Sequence, residues 1–141
     1  MPRVALRAPA IYGPARLGLE RLARREPVVR LEDAGVTNRI HVDDLVEACV
    51  RGLQNPEACG VYNVTDGNAS SSTEFLLKVA ALAGLPAPPQ VSMETAQLTF
   101  GAERLSFINE SRQVSNQRML HQLGVRLRYA DLEEGIRASL T

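Results

Sequence analysis

The stretch Asn38-Arg39-Ile40-His41-Val42-Asp43-Asp44-Leu45 decides the fold, because it leads directly into the clearest helix of the sequence. Asp44 followed by Glu47 predicts an acidic cap at the start of that helix, and Asn55-Pro56 predicts its end. One face of the helix is apolar, with residues at the spacing of three and four that marks a single side: Leu45, Val46, Cys49, Val50 and Leu53. We therefore expect this face, including Cys49, to lie in the core.

Strands and helices alternate on both sides of this helix. Apolar, β-branched segments predict strands at 4–6, 28–31 and 60–64, and the turn-rich segment 8–14 follows the first of them. Helices are predicted at 17–23, 72–83, 96–102, 115–123 and 132–140, and the second of these has a Ser71–Glu74 capping box and Gly84 as its end. This order indicates an α/β fold with too few strands for a complete sheet.

The composition is that of an ordinary globular protein. The 141 residues carry 16 basic and 16 acidic side chains, with 45% hydrophobic and 23% charged residues, so disorder is not expected. A neutral chain lacks the basic surface that nucleic acids select, and its apolar runs are far shorter than the roughly 20 residues of a membrane helix. Two cysteines make no disulfide framework, and no signal peptide is recognisable. We expect a cytoplasmic protein with no nucleic-acid or membrane partner.

Four segments in order along the chain resemble one family. They are the turn region Leu6-Arg7-Ala8-Pro9-Ala10-Ile11-Tyr12-Gly13-Pro14, the helix entry at 38–45, the strand at 60–64, and the tail at 114–124 with 132–135. Together they resemble the C-terminal half of the extended short-chain dehydrogenase/reductases, the NAD-dependent epimerase/dehydratases. The pattern is most similar to the atypical branch of that family.

The resemblance implies a fold, a cofactor and a class of substrate. The fold would be the C-terminal portion of a Rossmann-type parallel sheet, containing its last strands, plus a mostly helical subdomain that faces the substrate. Residues 1–85 would hold the last strands with part of that subdomain, and residues 86–141 its helical remainder. The full-length family uses NAD(P), and the substrate would be a small polar molecule.

The segment at 8–11 would lie beside the cofactor and the substrate. Ala8, Pro9 and Ile11 match family positions whose backbone lies near the nicotinamide ring. The alternative is an edge strand and tight turn that form with or without a cofactor. Ala10 occupies a substrate position where nucleotide-sugar members of the family usually carry asparagine, which argues against a nucleotide-sugar substrate for this chain.

Two arginines and an asparagine are further candidates for binding substrate. The planar guanidinium group suits phosphate or carboxylate, which makes Arg16 and Arg39 candidates. By resemblance, Arg39 matches the arginine that reaches the substrate diphosphate, and the alternative is an exposed salt bridge to Glu32, Asp33 or Asp43. Asn38 would join Arg39 as an amide donor or would cap a loop.

The catalytic motifs of the family are absent from the sequence. There is no glycine-rich GxGxxG turn, and no tyrosine is followed four residues later by lysine. Tyr12 and Arg16 have the right separation, but Gly13-Pro14 between them forbids the helix that would align the pair. We therefore assign no catalytic residue and expect the isolated chain to be inactive and to bind NAD(P) weakly.

His41, Asp43 and Asp44 allow two interpretations. Such residue types can bind a metal ion, yet three ligands from one strand-to-helix turn rarely converge, so the sequence favours helix capping and predicts no metal site.

Two alternatives to the enzyme-half hypothesis remain open. The open strand edge at 4–6 would suit a non-catalytic binding or assembly module that pairs with itself or with a separate cofactor-binding chain. The chain could also be a truncated product in which Met1 is an internal start.

Overall fold

The computed structural model describes residues 3–140, and Met1, Pro2 and Thr141 lie outside the described residues. The strands form three parallel pairs. These pairs are β1 (Val4–Arg7) with β5 (Gly60–Asn63), β2 (Ala10–Tyr12) with β4 (Arg39–His41), and β3 (Val28–Val29) with β6 (Gln90–Val91). The helices are α1 (Leu19–Ala23), α2 (Val42–Gln54), α3 (Ser72–Ala83), α4 (Met93–Thr99), α5 (Ala102–Asn109) and α6 (Leu132–Leu140). Short turns of 3₁₀ helix (Leu31–Asp33) and π-helix (Met119–Leu123) complete the order.

The α/β prediction is confirmed, and so are the limits of α3. The Ser71 hydroxyl accepts a hydrogen bond from the Glu74 amide at 3.0 Å, and Gly84 ends the helix in the left-handed conformation with φ +72°. The segment at 8–14 contains β2 as well as the predicted turn.

Two predicted helix boundaries are wrong, and a third helix differs in its type. α2 begins at Val42 and is capped by the His41 side chain instead of Asp44. The predicted helix at 96–102 is two helices, α4 and α5, which are separated at Phe100-Gly101. The helix predicted at 115–123 is helical from residue 117, with π geometry at Met119–Leu123, and its predicted end at Gly124 is confirmed by the left-handed conformation of that glycine.

Two hydrophobic clusters lie on opposite faces of the β2–β4 pair. The register places Ile11 beside Ile40 and Tyr12 beside His41, so alternate residues face opposite sides. The first cluster contains Tyr12, Leu17, Leu22, Val28, Leu76, Val79, Ala80, Leu132 and Ile136. The second contains Ile40, Ala48, Ala58, Tyr62, Val64, Met119, Leu123 and Val125, with Ile11 packed against it. Each cluster draws residues from both sides of residue 85, and the division at that point stays a prediction.

One apolar surface of the chain is uncovered. The predicted burial of Cys49 is wrong, because the face of α2 that carries it is exposed, with Leu53 88% exposed and Val46 55% exposed. A shallow depression joins this face to Val4 and Leu6 of β1. In the described residues, β1 pairs with β5 along one edge and has no strand along the other. We call this region, formed by residues 4, 6, 46, 49, 50 and 53, the β1–α2 surface.

Among residues 3–140, no helix is long and apolar enough to cross a membrane.

Candidate functional site

The residues predicted to lie beside a cofactor stand where the chain passes from one strand pair to the next. Ala8 and Pro9 connect β1 to β2, and Ala10 opens β2 directly beside Arg39 of β4. Ala8 and Ala10 are exposed, and the Ile11 side chain packs against the second cluster. The structure therefore brings Ala10 and Arg39 together and leaves Ala8 and Ala10 exposed, while the cofactor role stays a prediction.

Arg39 is buried, with 3% of its surface exposed, so the alternative of an exposed salt bridge is wrong. Its guanidinium donates to the hydroxyls of Thr37, at 2.7 Å, and Ser70, and it lies 5.0 Å from the centroid of the Phe75 ring. Burial lowers the pKa of Arg39, and nearby Asp66 acts in the opposite direction. These contacts fasten β4 to the start of α3, and a role in binding substrate stays a prediction.

Arg16 and Asn38 have different surroundings. Arg16 is exposed at the end of a tight turn in which its amide donates to the Gly13 carbonyl at 2.9 Å. The Asn38 side chain donates to the Arg112 carbonyl at 2.7 Å and accepts from the Val114 amide at 3.2 Å. Asn38 thus holds the loop at 112–114, as the loop-capping alternative predicts, and Arg16 is the freer of the two to meet a substrate.

His41 links two helices through both ring nitrogens. Nδ1 accepts from the Asp43 amide at 3.0 Å, which leaves the proton of the neutral ring on Nε2. Nε2 lies 3.1 Å from the Ser139 hydroxyl, and that hydroxyl donates to the Gly135 carbonyl at 2.7 Å. Burial lowers the pKa of His41, so the ring stays neutral. The capping interpretation is confirmed for His41.

Asp44 has a role that its sequence position does not indicate. Its carboxylate is 1% exposed and accepts from the backbone amides of Arg128, at 2.7 Å, and Tyr129, at 3.0 Å. It therefore fixes the segment before α6. In the described part of the chain, no three His, Cys, Asp or Glu side chains come together in a way that could hold a metal ion.

Tyr12 is a buried tyrosine whose hydroxyl has no hydrogen-bond partner among the described residues. Its ring meets His41 edge-on, with centroids 5.1 Å apart, and its hydroxyl lies against Gly135 of α6. Burial and the neighbouring Asp66 raise the pKa of Tyr12, so the hydroxyl holds its proton more firmly than a free tyrosine. An acid/base tyrosine needs the opposite shift, which supports the absence of a catalytic role.

Asp66 is a second buried group with an unpartnered atom. Its Oδ1 accepts from the Asn68 amide at 2.8 Å, and its Oδ2 has no partner among the described residues. Burial raises the pKa of Asp66 to about 6, against the opposing effects of the Asn68 amide and Arg39. The sequence marks Asp66 only as a turn residue before Gly67, and its burial depends on tertiary contacts.

The raised pKa of Asp66 predicts a stability that depends on pH. Because the carboxyl binds its proton more tightly in the folded chain, its contribution is complete below the unfolded pKa of about 4 and is lost as pH rises through about 6. We expect the Asp66 contribution to the free energy of unfolding to fall by about 2 kcal/mol between pH 4.5 and 7. Urea unfolding at several pH values measures it.

Asp66→Asn is the variant that tests this prediction, since it keeps the Oδ1 acceptor and removes the titration. The difference in stability between the variant and the wild type should change with pH over that interval. Glu57→Gln, at an exposed acidic position, is the control and should give a constant difference. A constant difference for Asp66→Asn as well would contradict the assigned pKa.

Comparison with known proteins finds relatives that match nearly all of this chain over about half of their own length. No family model matches the chain. A 3-diazoavenalumate denitrifying reductase from Streptomyces sp is 30% identical over 140 residues, which cover 94% of this chain and 45% of the relative. A solved protein from Silicibacter pomeroyi, described as functionally unknown, has a TM-score of 0.85 at 30% identity over 97% of this chain and 47% of its own. The human epimerase family protein SDR39U1, solved with NADPH, has a TM-score of 0.81 at 20% identity over 99% of this chain and 48% of its own.

The chain thus spans about half the length of the proteins it matches. Its structure is that of the last strands of a Rossmann-type parallel sheet with the helices that follow them. These matches agree with the predicted fold, the C-terminal portion of a Rossmann-type sheet such as extended short-chain dehydrogenase/reductases contain.

Proposed function

We propose that this chain forms the substrate-facing half of an NAD(P)-dependent epimerase, dehydratase or reductase that acts on a small molecule. A dinucleotide-binding half would supply the glycine-rich turn and the Tyr-x-x-x-Lys pair, so the isolated chain would not turn over. The Streptomyces relative is named as a reductase, which favours hydride transfer among the three reactions. When bound, the dinucleotide would supply the hydride, and the segment at 8–10, in which Ala8 and Ala10 are exposed, would line one side of its ring.

The observation that carries this proposal is the β1–α2 surface. A parallel strand with a free edge, next to an exposed apolar helix face, is typical of a sheet that continues. Leu53 projects almost entirely into solvent in the described structure, and Val4, Leu6 and Cys49 line the depression beside it. A further strand along β1 and a helix over this depression would bury these side chains, as a neighbouring βα unit does in a Rossmann sheet.

A chimera tests whether this surface receives a dinucleotide-binding half. The C-terminal 45% of the Streptomyces relative is replaced by this chain, and stability is measured by urea unfolding. We expect Leu53→Glu to lower the free energy of unfolding of the chimera by about 2–3 kcal/mol, because a carboxylate would be buried without a partner. In the isolated chain the same change should cost less than about 0.5 kcal/mol, since Leu53 is exposed.

Leu98→Glu is the matched control for this experiment. Leu98 is 84% exposed on α4, away from the β1–α2 surface, so its replacement should be harmless in both proteins. A chimera that tolerates Leu53→Glu as well as it tolerates Leu98→Glu would overturn the proposed docking.

A non-catalytic assembly module is the second candidate, and the free edge of β1 is the observation that favours it. Two copies could add their β1 strands to each other, or a separate cofactor-binding chain could pair there. Light scattering over a range of protein concentrations decides about self-association. A mass that rises with concentration supports pairing between copies, and a constant monomer mass contradicts it.

A further inference from the structure

An apolar cavity of about 240 Å³ lies between β3, the start of α3, and the two helices α4 and α5. Its apolar walls come from Val28, Val29, Leu76, Met93, Phe100 and Ile108. A cavity of about 150 Å³ is large enough for benzene, so this cavity has room for a second fused ring.

The outer wall of the cavity leaves aromatic surface uncovered. α5 contributes Phe107, which is 68% exposed, and no residue of this helix is buried. Phe107 also lines a shallower depression outside the cavity, together with Arg21 and Arg104. The two hollows share these three side chains, and Glu26 and Glu103 also line the outer one.

Arg104 is a cation with unused hydrogen-bonding capacity in the wall that the two hollows share. Its guanidinium lies 3.9 Å from the centroid of the Phe100 ring and donates to the Pro27 carbonyl. No carboxylate of the described residues forms an ion pair with it. A guanidinium has five N–H donors, so most of those on Arg104 are free for a ligand. Burial and nearby Arg21 lower the pKa of Arg104, and Glu26 acts in the opposite direction.

The other charged groups at the cavity leave this positive character in place. Arg21 has Glu26 as a partner at 3.8 Å, and both side chains are partly exposed. Glu110 is the one carboxylate among the lining residues, against the two guanidinium groups of Arg21 and Arg104. The lining of the cavity itself therefore carries a net charge of +1 (two positive groups and one negative group), whereas Glu26 and Glu103 line the depression outside it.

We propose that this cavity binds a flat, apolar molecule of about two fused rings that carries one anionic group. The rings would lie between Leu76, Phe100 and Phe107, and the anion would accept hydrogen bonds from Arg104. If the bound molecule is the substrate, this assignment rests on the proposed function. The substrate would then be amphipathic, whereas the sequence predicts a small polar molecule. As a binding site, it requires no dinucleotide and stands by itself.

Calorimetric titration of the chain with 2-naphthoate and with neutral 2-acetylnaphthalene tests the site. Both probes have the same fused rings, so their difference isolates the negative charge. We expect 2-naphthoate to bind saturably at one site per chain and about tenfold more tightly than 2-acetylnaphthalene, because its carboxylate meets Arg104. Absence of saturable 2-naphthoate binding to the folded chain would overturn the proposal, and equal affinities would overturn the anionic part of it.

Three variants locate the binding. Arg104→Gln should weaken 2-naphthoate binding about tenfold and leave 2-acetylnaphthalene unchanged. Ala34→Phe fills the cavity from a position with extended backbone, and it should abolish binding of both probes. Arg112→Gln is the control, because Arg112 is exposed and does not line the cavity. A chain whose 2-naphthoate affinity survives both Arg104→Gln and Ala34→Phe, with an unchanged circular dichroism spectrum, contradicts the assigned site.

The outcome is separable from that of the proposed function. The probe titrations contain no NAD(P) and use the chain alone, whereas the chimera experiment reports only on the β1–α2 surface. Failure of probe binding with a successful chimera would remove the ligand assignment and leave the enzyme-half proposal intact.

Discussion

Asp44→Ala is expected to lower the free energy of unfolding by about 4 kcal/mol. The carboxylate is almost fully buried and accepts from two backbone amides, those of Arg128 and Tyr129. Alanine offers neither amide an acceptor, and a buried donor left unpaired costs about 1–3 kcal/mol. The segment before α6 also loses its attachment to α2, so both effects act in the same direction. Urea denaturation followed by circular dichroism measures the loss.

Two further substitutions make this result interpretable. Asp44→Asn keeps one acceptor oxygen and should cost about half as much as alanine. Asp43→Ala, at the neighbouring half-exposed carboxylate, should cost less than about 1 kcal/mol, because its ion pair with Arg128 is long and solvated. Equal losses for Asp43→Ala and Asp44→Ala would contradict the role assigned to the buried carboxylate.

Gly135→Ala is expected to be the second most damaging change, at about 3 kcal/mol. In most helices this substitution stabilises by about 1 kcal/mol, because alanine is the better helix former. At position 135 a methyl group would overlap the Tyr12 hydroxyl oxygen and would lie 2.9 Å from Cζ of the same ring. The ring is 2% exposed between His41 and Phe75, so it cannot move aside without disturbing the first cluster.

A double-mutant cycle with Tyr12→Phe checks the cause. Removing the hydroxyl takes away the atom of closest overlap, so the double variant should recover about half of the loss. Tyr12→Phe alone should be neutral or slightly stabilising, because the hydroxyl has no partner in the described structure. Gly101→Ala is the control, since a methyl group there meets nothing within 4 Å. Additive effects of Gly135→Ala and Tyr12→Phe would contradict a clash between these two residues.

The fold class and several elements could be predicted from local sequence because their signals are local. The Ser71–Glu74 box and Gly84 delimit α3, and both are features of the residues themselves. The boundaries of α4 and α5 and the π-helical turn at Met119–Leu123 could not be predicted, because weak periodicity there leaves the outcome to tertiary packing. The predicted burial of Cys49 was wrong for a related reason. An apolar face indicates that something covers it, and the face of α2 is uncovered in the described structure.

The candidate site also contains features that could be predicted from the sequence and features that could not. The family resemblance assigned both Ala10 and Arg39 to the substrate, and the parallel register of β2 with β4 places them side by side. The burial of Asp44 and Asp66 could not be predicted, because the sequence does not distinguish a buried acidic residue from an exposed turn or cap residue. The hydrogen-bond partners of Asp44 lie more than 80 residues further along the chain, and no local sequence pattern predicts them.

The central claim is that this chain lacks the elements that bind the dinucleotide. Calorimetric titration of the isolated chain with NADH and with NADPH tests this claim most directly. We predict no saturable binding of either dinucleotide up to about 1 mM, since the glycine-rich turn that meets the pyrophosphate is absent from the sequence. Stoichiometric binding of NADH or NADPH with a Kd below about 10 μM would contradict it.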